Sequence, residues 1–150
     1  MKVDESIFQV GSIWKASDNL KAAKALISDQ NNWIKQFYEQ DETGKVAMHN
    51  PLPACKFCTV GAYNRASLTH FGSRMNDYSW MVKPEHRLDH DNLMTESATH
   101  LRKALSELPN PARKYSGVAD YNDDPTTTHE DILNLYDNAI AIAEKAESNA

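Results

Sequence analysis

Apolar residues recur at helical spacing along most of the chain. Between Asp4 and Trp14, Ile7, Phe8, Val10, Ile13 and Trp14 lie three, four and seven apart and predict a short helix that Gly11 weakens. A clearer helix starts at Ser17-Asp18, carries Leu20, Ala23, Leu26 and Ile27 on one face, and ends at Asn31-Asn32. From Trp33 to His49 the pattern turns aromatic and β-branched. Asp41-Glu42-Thr43-Gly44 has turn chemistry, and Lys45-Val46-Ala47-Met48 reads as a returning strand, with Gly44 left-handed. A continuing helix competes there, because the alternation is imperfect.

Pro53 suits the first turn of a helix from Ala54 to Phe71 with Gly72 as its C-terminal cap. Gly61 and Ala62 form a bare strip in its middle, where Gly costs about 1 kcal/mol against Ala unless close packing compensates. Ser73 to Asp91 is mixed and polar, with Trp80, Met81 and Val82 as an apolar patch. Asn92 to Leu108 is amphipathic through Leu93, Met94, Ala98, Leu101, Leu105 and Leu108, and Pro109-Asn110-Pro111 stops it. A loop then runs to about Thr127. In the last helix Thr127 and Glu130 form a capping box, with Thr128 the competing cap. Ile132, Leu133, Leu135, Tyr136, Ala139, Ile140 and Ala143 make its stripe. The expected fold is mainly α: a single compact domain over 1–150, of four or five helices with a small β-hairpin near residues 33–48.

Composition adds limits to this reading. The 150 residues are 41% hydrophobic and 25% charged, near globular averages. No apolar run approaches the ~18–20 residues of a membrane span, so no membrane partner is expected. Two cysteines are too few for a disulfide scaffold. The start carries Asp4 and Glu5 and lacks a signal-peptide apolar stretch, so the expected setting is cytoplasmic. The net charge of −5 is uneven. Residues 118–150 hold eight acids against Lys145, and residues 1–117 hold 13 acids and 15 bases. That balance argues against nucleic-acid binding, which draws on Lys and Arg displacing counterions. It leaves a solvated acidic face, or a surface for a basic partner.

Three segments together carry a resemblance. They are Leu20 to Ile27 leading to Trp33; Cys58-Thr59-Val60-Gly61-Ala62; and Tyr121-Asn122-Asp123 leading to Thr128 and Asp131-Ile132-Leu133. Their order resembles an uncharacterised family of small phage and bacterial proteins, whose pattern is a helix ending in Gly-Trp, a Cys-x-x-Gly-Ala helix, a Trp-Asn-Asp turn and a Thr-capped last helix. Asn32 and Tyr121 depart from that pattern. The resemblance implies the segmentation and a phage or accessory-locus setting, and no activity.

Several constellations bear on chemistry. Cys55-Lys56-Phe57-Cys58 at a helix start would favour a thiolate, but a thioredoxin-like pair needs a βαβ frame. A zinc site would draw Cys55, Cys58, His86 and His90, with His49, His70 and His100 as further ligands, at a spacing far from that of zinc fingers. Asp120, Asn122, Asp124 and Asp131 imitate a calcium loop, with Pro125 where Gly is needed. A nucleophile reading pairs Cys58 with His129, oriented by Asp123 or Asp131. No phosphate loop, H-E-x-x-H, G-x-S-x-G or dinucleotide fingerprint is present. The expected function is a binding or interaction protein without a cofactor, its partner a protein or small molecule. The expected site is Cys58, Arg65, Tyr121, Asn122 and Asp123: Tyr121 covers the Gly61-Ala62 strip, Asn122 or Asp123 takes backbone donors, and Arg65 pairs with Asp123.

Overall fold

A computed structural model describes residues 14–46, 52–75, 77, 81–109 and 115–150. Its elements run α1 (Ala16–Leu26), a 3₁₀ turn (Gln30–Asn32), β1 (Glu39–Gln40), β2 (Lys56–Phe57), α2 (Thr59–His70), α3 (Pro84–Ser106), α4 (Val118–Asp123) and α5 (His129–Ser148). The protein is thus mainly helical with a two-stranded antiparallel sheet. The helix expected over Asp4–Trp14 lies outside the described residues except for Trp14.

The apolar stripes meet in one core. Leu20, Ala23, Leu26 and Ile27 of the first helical segment are buried against Ile132, Leu135, Tyr136, Ala139 and Ala143 of α5, with Leu101 and Ala104 of α3 and Ala62 and Ala66 of α2. α1 packs on α2 and α5, and α3 packs on α5. Lys24 reaches Asp137 at 2.6 Å, Lys21 reaches Glu144 at 3.4 Å, and Glu147 accepts from the Ser17 backbone N–H and hydroxyl at 3.0 and 2.6 Å. Two acids of α5, Asp137 and Glu144, thus meet bases of α1, and a third, Glu147, is held by Ser17.

Four boundaries differ from the sequence reading, each for a physical reason. Residues 54–58 are extended and α2 begins at Thr59. Gln40 O accepts from Cys55 N at 3.0 Å, Tyr38 O from Cys58 N at 3.2 Å and Met75 O from Ala54 N at 3.1 Å, so this backbone is committed to neighbours before a helix can start. The partner of β1 is therefore β2, in the register Glu39 to Phe57 and Gln40 to Lys56. The expected hairpin survives as a Gln40–Val46 bridge around Gly44, whose φ of 85° is the left-handed turn position; residues 47–48 lie outside the described set. Third, α3 starts at Pro84. Its first turns bury His86 only in part, then His90, so no hydrocarbon stripe announces them.

The last difference concerns α5. Its cap is Thr128, with Asp131 in place of Glu130. Thr128 Oγ1 accepts from Asp131 N at 3.1 Å, and Asp131 Oδ2 accepts from Thr128 N at 2.9 Å. Thr127 is buried instead, its backbone N–H on Asp124 O at 3.0 Å. Gly72 ends α2 as expected, at φ 89°, with Ser73 N bonding back to Leu68 O.

Candidate functional site

α4 is a six-residue helix that sets Asn122 against the start of α2. Asn122 is wholly buried. Its Oδ1 accepts from Thr59 N at 3.0 Å, from Thr59 Oγ1 at 2.7 Å and from Trp33 Nε1 at 2.8 Å. Its Nδ2 donates to Ile34 O at 3.1 Å and to Asp123 Oδ1 at 3.0 Å. One carboxamide thus ties α4 to the first N–H of α2, that of the buried Thr59, and to the chain that leaves the 3₁₀ turn. A helix start needs such an acceptor, because its first N–H groups have no partner within the helix.

The segment held this way is 34–39. Ile34 N donates to Phe57 O at 3.1 Å. The Lys35 ammonium lies 5.3 Å from the centre of the Trp33 ring and donates to Asp124 O at 2.6 Å and Thr127 O at 2.9 Å. Gln36 takes a φ of 73°, the one left-handed non-glycine among the described residues, and its N–H donates to Asp123 Oδ1 at 2.8 Å. Such a conformation costs on the order of 1–3 kcal/mol and persists where its surroundings impose it. Tyr38 O accepts from Cys58 N, and the Tyr38 backbone lies so close to Gly61 that a Cβ there would sit 1.9 Å from the carbonyl oxygen. Glu39 is clamped in both oxygens by Arg65, at 2.7 and 2.8 Å; Arg65 also donates to Arg74 O and Asp77 O. On this tied backbone Phe37 is 46% and Tyr38 66% exposed.

The residues expected to form a site are therefore the frame behind a surface. Asn122 and Asp123 do take backbone donors, from Thr59 and Gln36. Arg65 pairs with Glu39 and not with Asp123. Tyr121 is buried in the core, edge-on to Tyr115 at 4.9 Å; the close approach at Gly61 is made by the Tyr38 backbone. A hairpin over 33–48 places Phe37 and Tyr38 in a strand, whereas β1 begins at Glu39 and both rings are exposed. Their signal was two adjacent large aromatics, which alternation cannot bury on one face.

The reactive constellations are spread over the framework. Cys58 is the N-cap of α2: its Sγ accepts from Gly61 N at 3.3 Å, and burial pushes its thiol up to about 11. Burial raises the Cys55 thiol as well. His129 Nε2 bonds Ile27 O at 2.6 Å and its ring lies against Trp33, while Asp131 serves the α5 cap. His90 bonds Ser67, and His86 and His90 both pack on the Phe71 ring, while Cys58 caps α2 and Cys55 is buried in the extended stretch before it. Asp120 accepts from Ser116 N, and Asp124 accepts from Thr126 N and Oγ1 and from the Tyr115 hydroxyl. Among the described residues, no group of three or more His, Cys, Asp or Glu side chains is placed to hold a metal ion. No described helix is long and apolar enough to cross a membrane.

A sequence model of DUF6197, a family of unknown function, matches residues 15–142. The match spans every element from α1 to most of α5, the frame around Asn122 and the exposed segment included. No curated protein and no solved structure matches the chain.

Proposed function

This chain belongs to the DUF6197 family, and we propose that it is a cytoplasmic binding protein, of a phage or accessory locus, whose contact surface is the 36–38 knuckle. The observation that carries this reading is the pairing of exposure with restraint. Phe37 and Tyr38 face solvent, yet the segment is tied at Ile34, Lys35, Gln36, Tyr38 and Glu39. An aromatic side chain offers large contact area with few rotors to freeze, and a backbone already ordered spares the loop-ordering cost of association. Aromatic residues are enriched among those that dominate binding energy. The groups that would serve catalysis support the same reading, since Cys58, His129, Asp123 and Asp131 are all engaged in holding backbone. A protein surface is the partner that fits two projecting rings.

The test is photocrosslinking in the cells that make the protein, with benzoylphenylalanine in place of Tyr38 and, as a control, of Leu88, which is 70% exposed on α3. The expected result is a discrete adduct from position 38 that Phe37→Ala abolishes without changing the melting temperature. Equal adducts from both positions, or an adduct indifferent to Phe37→Ala, would reject the knuckle as the contact surface.

A further inference from the structure

At the opposite end of α2 from Asn122, three histidines gather around one phenyl ring. The Phe71 ring stacks on His86 at 5.4 Å and meets His70 edge-on at 4.9 Å and His90 edge-on at 6.4 Å. His70 in turn stacks on Trp14 at 4.4 Å. His90 is buried, and its Nδ1 lies 2.7 Å from the hydroxyl of Ser67, itself wholly buried. Within the first turns of α3, Glu85, Arg87, Leu88, Asp89, Asp91 and Asn92 are exposed and His86 is half-buried on Phe71, so that His90, with Val82 before the helix and Leu93 one position past Asn92, is a buried attachment of this end.

We propose that His90 is an acid-sensitive latch that releases the start of α3 from the C-terminal end of α2 when its imidazole takes up a proton. A neutral ring fits a site walled by Phe71 and a hydroxyl. A charged ring there loses its hydration and gains no counter-ion from Ser67 or Phe71 of α2, and His70 of α2 and His86 of α3, which share the Phe71 ring, supply no negative charge. On α3 itself Asp91 favours the cation and Arg87 opposes it. Burial is the largest influence and holds the imidazole below its ordinary range.

The direction of the pH effect follows. The unfolded chain takes this proton near pH 6.5, and the folded one only at lower pH. The unfolded state therefore binds more protons between those values, so stability is full above about pH 6.5 and falls as pH drops through the window. Local opening obeys the same linkage, so the first turns of α3 open before the core does.

The test is amide hydrogen exchange from pH 7.5 to 5.0, corrected for the intrinsic rate, with the His90 ring titration followed by NMR. Protection of the amides of residues 88–92, the first with intrahelical partners, should fall on acidification while that of α5 holds. The midpoint of the fall should coincide with the His90 titration, below pH 6.5. The non-titrating His90→Asn should abolish the pH dependence, and His86→Gln should leave it. Protection that ignores pH, a fall that tracks His86, or a His90 midpoint at or above 6.5 overturns the latch. Should His90→Asn not fold, coincidence of the two wild-type midpoints decides the matter.

Discussion

Gly61→Ala is expected to destabilise the protein by about 3 kcal/mol, the upper end of the usual range for overpacking a well-filled site. The opposite sign would hold for an ordinary helical glycine, because Ala is the better helix former by about 1 kcal/mol. What decides the sign is the obstacle. The new methyl group would stand 1.9 Å from Tyr38 O and 2.7 Å from Tyr38 C, which are backbone atoms and not the movable end of a side chain. Relief requires Tyr38 to withdraw, which breaks the Cys58 N to Tyr38 O bond and lifts the knuckle from α2. Urea unfolding measures the effect as a lower midpoint at unchanged slope. A midpoint that rises would show that no backbone crosses α2 at this position.

Asn122→Ala is expected to cost more, about 3–5 kcal/mol. Three donors, Thr59 N, Thr59 Oγ1 and Trp33 Nε1, and two acceptors, Ile34 O and Asp123 Oδ1, lose a partner, and orphaning a buried polar group costs about 1–3 kcal/mol each without strict additivity. Asn122→Asp separates the two halves of the carboxamide. The acceptor side remains, the donor to Ile34 is lost, and a second carboxylate now faces Asp123 Oδ1, which Asn122 Nδ2 reaches at 3.0 Å. Like charges in one site resist joint ionisation. The deficit of Asn122→Asp should accordingly shrink as the pH is lowered from 7 toward 4, where one carboxyl takes a proton. An Asn122→Ala loss below about 1 kcal/mol would demote Asn122 from hub to spectator.

The helices that bury hydrocarbon were legible in the sequence. α1, α5 and the second half of α3 carry Leu, Ile and Ala stripes, and the structure packs those stripes on the core, some members wholly buried and others in part. Legibility failed where burial is polar or backbone-driven. The first turns of α3 hide their inward face because it is His86 and His90. Residues 54–58 have helical composition, yet the carbonyls of Tyr38, Gln40 and Met75, distant in sequence, claim their N–H groups. The cap of α5 moved by one residue because Thr127-Thr128 and Glu130-Asp131 offer two overlapping boxes, and local spacing does not choose between them.

At the candidate site, Asn122, Asp123, Arg65 and Gly61 stand out in the sequence as residues that need a close partner, and each has one in the structure. Which partner each takes depends on where residues 33–40 pass. Segment 33–40 has no period to read, since Ile34, Lys35, Gln36 and Tyr38 are set by ties to distant segments and not by one repeating face. The imperfect alternation there marks a segment shaped by its surroundings.

The claim at the centre is that residues 34–39 are ordered in the free protein, so that Phe37 and Tyr38 are presented on a fixed backbone. Backbone ¹⁵N relaxation measures this directly. Order parameters for Ile34 through Glu39 of about 0.85, equal to those of α1 and α5, are the result expected of a tied knuckle. Values below about 0.6 at Gln36, Phe37 and Tyr38, the mark of a flexible loop, would contradict it, since neither the left-handed Gln36 nor the Asp123 bond could then persist.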